Sequence, residues 1–138
     1  AWEFIQQPFR VGEHLSAAVV IGLDGTREIL PVCRQRLSRD GRFEYRGADR
    51  IPGQTCRWDS VASSMTDNLL AVIPGTGGYL GFDLIGTADD SVEIADINPR
   101  LTTGYLGWRM WTRDNIARRL LMAAEPINWL NESGQFRI

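Results

Sequence analysis

The chain has 138 residues, enough for one domain with a real core, and its 43% hydrophobic and 23% charged residues are ordinary for a globular protein. A net charge of −2 gives no case for a nucleic-acid or acidic-membrane partner, and no run approaches the roughly 18 apolar residues of a spanning helix. All 15 basic residues are arginine, so chemistry that needs a lysine ammonium must draw it from elsewhere.

The start, Ala1-Trp2-Glu3-Phe4-Ile5, has no basic region or long apolar core of a signal peptide. It opens inside a strand-like run, so the chain reads as one piece of a longer one, with residues 1–138 a single domain. Glu3 to Phe9 is expected as a strand stopping near Pro8. His14 to Leu23 is apolar and β-branched, the pattern of a buried strand. Asp24-Gly25 is a hairpin turn, and Arg27 to Leu37 is its partner, with Val32 inward and Arg34 and Arg36 outward. Asp40-Gly41 makes a second turn before a short strand, Phe43 to Arg46, and a polar loop from Gly47 to Arg57.

Ser60 to Ile73 carries Val61, Met65, Leu69 and Val72 at helical spacing. Asp59 or Ser60 is its candidate N-cap, and Pro74-Gly75 its stop. Two apolar runs joined by the polar turn Thr87 to Asp90 then predict a hairpin over Gly81 to Asn98. Leu101 to Gly107 is a loop or helix start. Thr112 to Ala124 is a helix capped by Thr112 and stopped by Pro126, and the tail from Asn128 is ambiguous. Strands in runs, with two main helices and no regular strand–helix alternation, argue an α+β fold with a largely antiparallel sheet.

The hairpin carries the most informative residues. Asp83, Asp96 and Asn98 interrupt apolar runs where unbroken hydrophobicity would be cheaper. Asp96 and Asn98 are two apart and share one face of a strand, and the hairpin can bring Asp83 to it. Such an oxygen-rich patch, poor in nitrogen and sulfur, suits Mg²⁺ or Mn²⁺.

Other motifs compete less well. Gly75-Thr76-Gly77-Gly78-Tyr79-Leu80-Gly81 lacks the glycine of a dinucleotide fingerprint at Leu80 and precedes a strand, so it reads as a flexible turn. Pro8 to Glu13 is a plain link or a nucleotide hinge, with Phe9 on an adenine ring and Glu13 accepting from ribose hydroxyls. Arg34, Arg36, Arg46, Arg50 and Arg100 could clamp an anion; Arg100, just after Asn98, is best placed. His14, the only histidine, reads as structural or solvated. Cys33 reads as a buried small hydrophobe. Cys33 and Cys56 match no metal spacing, and a reducing cytoplasm is expected.

Asp96-Ile97-Asn98-Pro99-Arg100-Leu101-Thr102-Thr103-Gly104-Tyr105 resembles the metal-binding motif of the ATP-grasp superfamily, nearest its tyramine–glutamate ligase-like branch. There an Asn follows the second metal carboxylate by two residues, as Asn98 follows Asp96, and the first carboxylate lies upstream on the paired strand, as Asp83 does 13 residues earlier. Gln6-Gln7-Pro8-Phe9 resembles the adenine hinge, and Glu13, seven residues after Gln6, the ribose-binding carboxylate. The resemblance covers essentially the whole chain and implies the C-terminal ATP-grasp subdomain of a carboxylate–amine ligase. On that reading Asp83, Asp96 and Asn98 hold Mg²⁺ (or Mn²⁺), Arg100 steadies a transferred phosphoryl group, and Gln6, Gln7, Phe9 and Glu13 bind ATP.

The partners implied are small-molecule carboxylate and amine substrates and a missing N-terminal subdomain or partner chain. A homodimer is compatible with the same reading; nucleic acid and membrane are not expected. Three features depart from the family pattern. Asp96 stands where Glu is usual, and Gly81 where some ligases carry a phosphate-binding Arg. The two nucleotide-binding lysines of the upstream subdomain have no counterpart. The chain by itself is therefore expected to be a poor ligase. The alternative is a non-catalytic nucleotide-binding or interaction module that keeps the fold.

Overall fold

A computed structural model of the chain describes residues 3–22, 25–51, 57–121 and 135–136. Six strands and three helices occur among them: β1 (Glu13–Ile21), β2 (Arg27–Leu37), β3 (Tyr45–Arg50), α1 (Arg57–Val72), β4 (Gly78–Gly86), β5 (Val92–Asn98), α2 (Gly104–Met110), α3 (Ile116–Leu121) and β6 (Gln135–Phe136). The strands form one sheet in the order β5-β4-β1-β2-β3-β6, with every pairing antiparallel. The expected α+β class with an antiparallel sheet is what the chain adopts. No helix among the described residues is long and apolar enough to cross a membrane.

The sheet is covered on both faces. Along β1, Leu15, Ala17, Val19 and Ile21 pack with Trp58 and Ala62 of α1, whereas Ala18 and Val20 pack with Trp108 and Trp111 at α2 and Ile116 of α3. A central strand buried on both sides must be apolar throughout, which is why β1 shows no polar alternation over this stretch.

β2 carries a proline near its middle, where a ladder donor should be. A bulge resolves this: Ser16 pairs Cys33 and Ala18 pairs Leu30, so Ala17 faces two residues, Pro31 and Val32. The backbone groups freed at the bulge find partners from both layers. The Pro31 carbonyl accepts from Trp108 Nε1 at 2.7 Å, and the Val32 N–H donates to Asp59 Oδ1 at 3.1 Å. Cys33 is buried, as expected of a small hydrophobe, and its thiol donates to the same Pro31 carbonyl.

Several expectations are corrected. Residues 3–11 form no strand, and Phe4, Ile5 and Phe9 are exposed. The strand expected over Phe43 to Arg46 lies later, at Tyr45–Arg50, since Ala48 pairs Gln35 and is fully buried. Its sequence, YRGADR, has no β-branched residue to announce it. α1 starts before Ser60, so Asp59 lies inside its first turn and bonds Val32. Its inner face is also shifted: Trp58, Ala62 and Thr66 are buried and Met65 and Leu69 pack against the core as expected, whereas Val72 is exposed. Burying the indole of Trp58 against Leu15 and Gly86 outweighs the smaller gain at Val72.

The last helix begins at Ile116 and not at Thr112. Asn115 Oδ1 accepts from the Arg118 N–H as its cap, while Thr112 Oγ1 holds the preceding turn through the Asp114 N–H. The Asp24 half of the first hairpin turn, Cys56, Pro126 and most of the tail lie outside the described residues.

Candidate functional site

The face of the sheet that carries α2 opens into a cleft of about 320 Å³ that crosses β5, β4, β1, β2 and β3, lined by Ser16, Gln35, Tyr45, Asp83, Asn98, Arg100 and Thr102 among others. Register builds it. Ser16 is opposite Asp83, and Asp83 is directly opposite Asp96. On a regular strand Val92, Ile94, Asp96 and Asn98 would all share one face. A bulge at Ala95, between the Asp83–Asp96 and Leu84–Ile94 pairs, breaks that periodicity. Val92 can then pack with the α1-side cluster while Asn98 lines the cleft and Asp96, bonded to it, lies at the cleft's edge outside the lining.

Asp83, Asp96 and Asn98 thus come together. Asn98 is buried, and its Nδ2 donates to Asp83 Oδ2 at 3.2 Å and to Asp96 Oδ2 at 3.0 Å. The remaining oxygens accept from Gln35 Nε2 at 2.7 Å (Asp83) and from the Ile97 N–H at 2.9 Å (Asp96). Two carboxylates directly opposed across a strand pair repel, and the hydrogen bonds described for them come from neutral N–H groups. The donor set is oxygen-rich and hard, which fits Mg²⁺ or Mn²⁺ with waters and phosphate oxygens. Among the described residues no three His, Cys, Asp or Glu side chains cluster as a metal site, so the third polar group beside the two carboxylates is the Asn98 amide.

The five arginines do not form a clamp. Arg34 is bound to Glu13 (2.9 Å), Arg36 to Asp49 (3.5 Å) and Arg46 to Glu44 (3.3 Å), and Arg50 is buried. Arg100 alone of them lines the cleft, exposed, with a 3.3 Å bond to the Leu101 carbonyl.

The nucleotide-hinge residues are less closely assembled. Gln6 and Gln7 are exposed in a segment without regular structure. Glu13 starts β1 opposite Gly86, accepts from Arg34, and does not line the cleft. Phe9 stands 6.4 Å from Phe43, ring centroid to ring centroid, and His14 stands 5.9 Å from Phe43.

Gln35, Phe43 and Tyr45 were not singled out in the sequence. Gln35 had a signal: it lies two residues past Cys33, on an inward face of an interior strand, where an amide needs a partner. Phe43 had only a weak one. It lines the cleft with φ of 54°, a left-handed conformation rare for a bulky residue. Burial, helped by neighbouring Asp83, pushes the Tyr45 hydroxyl up to about 12 from 10.0. A phenol whose folded pKa is raised contributes stability below pH 10, lost as pH rises toward 12. Tyr45→Phe should therefore reduce the alkaline fall in the urea midpoint over this window. Tyr79, raised by its own burial, keeps part of that fall.

Gly81 has no room for a side chain, since a Cβ there would overlap Thr102 Cγ2. Thr102 is held by the Tyr79 hydroxyl at 3.0 Å. Gly81→Ala should cost about 1–3 kcal/mol in chemical denaturation, and adding Thr102→Ser, which removes that methyl, should restore about half or more of the loss.

The ATP-grasp domain family matches this sequence over residues 1–104. The chain belongs to the ATP-grasp family. It is 29% identical over 137 residues to the tyramine–L-glutamate ligase of Methanocaldococcus fervens, covering 98% of this chain and 43% of that protein. It is 29% identical over 135 residues to the tyramine–L-glutamate ligase of Methanocaldococcus jannaschii, covering 98% and 39%. This ATP-grasp chain therefore spans about two-fifths of the length of these curated relatives. A crystal structure of an ADP complex of N5-carboxyaminoimidazole ribonucleotide synthetase superposes with a TM-score of 0.71 at 15% identity, covering 88% of this chain and 33% of that one. At that identity the likeness establishes the fold alone.

Proposed function

We propose that this ATP-grasp domain supplies the metal- and phosphate-binding half of an ATP-dependent carboxylate–amine ligase. The observation that carries the reading is the directly opposed Asp83–Asp96 pair, joined by Asn98, beside a cleft lined by Asp83, Asn98 and Arg100. Asp83, Asp96 and Asn98 would hold Mg²⁺ or Mn²⁺, which when bound neutralises the ATP phosphates. Arg100 offers a planar, permanently charged fork to the transferred phosphoryl group. Asn98, buried and bonded to both carboxylates, fixes their spacing. Gln35 fixes the Asp83 rotamer from β2, reaching across the intervening β1.

ATP would transfer its terminal phosphoryl group to a substrate carboxylate, and an amine would then displace phosphate from the acylphosphate. This chemistry asks the protein for positioning and charge neutralisation more than for proton transfer, consistent with a cleft lining that holds no histidine and whose one carboxylate, Asp83, is assigned to the metal. Phe9, backed by Phe43 and His14, supplies an aromatic surface for the adenine ring. Gln6 and Gln7 would border the ring, and Glu13, oriented by Arg34, would take the ribose hydroxyls. Acid and amine substrates of the kind named in the relatives, L-glutamate and tyramine, are the first to try.

With no lysine in the sequence, the ammonium groups that would close on ATP must come from another segment or chain. Calorimetric titration of Mg²⁺-ATP into this chain together with a lysine-bearing ATP-grasp N-terminal subdomain tests the proposal. Binding should require Mg²⁺ and weaken at least about tenfold with Arg100→Ala, from loss of a charge-assisted contact. Metal-independent binding, or none at all, would overturn it.

A further inference from the structure

From Leu15 to Ile21 the central strand β1 is apolar except at Ser16. Ser16 is only 4% exposed, and it lines the cleft. It shares a face of β1 with Ala18 and Val20, which pack under the α2 layer, so its hydroxyl lies on the cleft side of the sheet. Ala17 and Ala18, equally buried, show that a small apolar side chain suits this part of the strand.

No hydrogen bond to the Ser16 hydroxyl is found among the described residues, although Ser16 stands directly opposite Asp83 of β4. The Cβ atoms of such a pair lie about 4.5–5.5 Å apart, so a group held at Asp83 is within reach of Ser16. Both Asp83 oxygens already accept from amides, Gln35 on one side and Asn98 on the other. The Ser16 proton is therefore left for an occupant of the cleft. A metal ion at the carboxylate pair brings anionic oxygens to this spot, and a hydroxyl donates well to a charged oxygen. Ser16 also lies on the way between the two parts of the site. Phe43 is beyond β2 and Asp83 is on β4, with β1 between them. A nucleotide with its base against Phe43 and its last phosphates at Asp83 carries its phosphate chain across β1.

We propose that Ser16 is a nucleotide-binding residue, whose hydroxyl donates to a phosphate oxygen where the phosphate chain crosses β1 to reach Asp83 and Asn98. The inference rests on the ligase reading for the nucleotide and adds a contact from the floor of the cleft. The carboxylate of an acid substrate offers the same chemistry, so the test uses nucleotide with no acid present.

Mg²⁺-ATP is titrated calorimetrically into the chain together with a lysine-bearing ATP-grasp N-terminal subdomain. Ser16→Ala should weaken binding about tenfold, as expected for a lost hydrogen bond to a charged oxygen. Ser16→Thr keeps the hydroxyl on a side chain suited to a strand and should bind within about threefold of the wild type. Two further readouts separate a ligand contact from a structural role. The urea midpoint of the free Ser16→Ala chain should be unchanged or higher, because no bond is lost there. Mn²⁺ broadening of the amides of residues 83, 96 and 98 should persist in that variant without nucleotide. Mg²⁺-ATP binding by Ser16→Ala equal to that of the wild type would overturn the inference and leave the ligase reading standing. A lower urea midpoint or a loss of Mn²⁺ broadening in Ser16→Ala would assign the hydroxyl to the fold or to the metal patch and overturn it as well. A wild-type chain that binds no Mg²⁺-ATP would remove the ligase reading and this inference with it.

Discussion

Asp96→Asn should make the metal-free chain more stable and at the same time abolish its response to Mg²⁺. Asp83 and Asp96 are directly opposed on β4 and β5, and like charges so placed destabilise a sheet by about 0.2–1 kcal/mol. Removing one charge relieves that repulsion, and Asn at 96 still offers one acceptor to the Ile97 N–H or to Asn98. Asp83→Asn should behave differently. Both Asp83 oxygens accept from amides, Gln35 Nε2 and Asn98 Nδ2. An Asn there must point its own N–H₂ at one of those donors, leaving an unmet donor pair and offsetting the charge relief by about 1 kcal/mol or more. Urea denaturation with and without Mg²⁺ reads the stability terms. Mn²⁺-induced broadening of the amides of residues 83, 96 and 98 reads metal binding directly. Broadening that survives in either variant would show that the carboxylates do not hold the ion.

Trp108→Ala should be the most destabilising single truncation, by about 3–5 kcal/mol, approaching half of the stability of an ordinary small domain. Trp108 is fully buried, packs with Trp111, Ala18 and Val20, and stands 6.5 Å from the ring of Tyr79. Its Nε1 also meets the Pro31 carbonyl at the β2 bulge. The loss therefore has a cavity part and a hydrogen-bond part. Trp108→Phe keeps much of the volume and removes the N–H, so it should cost about 1–3 kcal/mol, the penalty for a buried carbonyl deprived of its donor. If Trp108→Phe costs as much as Trp108→Ala in equilibrium denaturation, the bulge contact dominates; if it costs nothing, Pro31 finds water instead.

Much of this architecture is legible in the chain. The hairpin of β4 and β5 follows from two apolar runs around Thr87 to Asp90, β1 from its apolar, β-branched run, and β2 from its place as the partner after the Asp24-Gly25 turn. α2 also had a pattern, with Gly104, Gly107, Trp108 and Trp111 at helical spacing and buried on one side, but seven residues are too few to stand out beside loop-forming glycines. β3 was misplaced because its burial comes from Ala48 and from pairing with Gln35, neither of which has a local signature.

The sequence by itself determined the fold class, the acidic hairpin and the oxygen-rich chemistry of Asp83, Asp96 and Asn98, because strand periodicity and side-chain type are local properties. Only the tertiary structure decided how those residues meet. The Ala95 bulge turns Asp96 and Asn98 to the Asp83 side of the sheet while Val92 keeps to the apolar face, and Gln35 reaches Asp83 from a strand far away in sequence. Register and bulges are set by the packing of both sheet faces at once, and that is a property of the assembled layers and of no single segment.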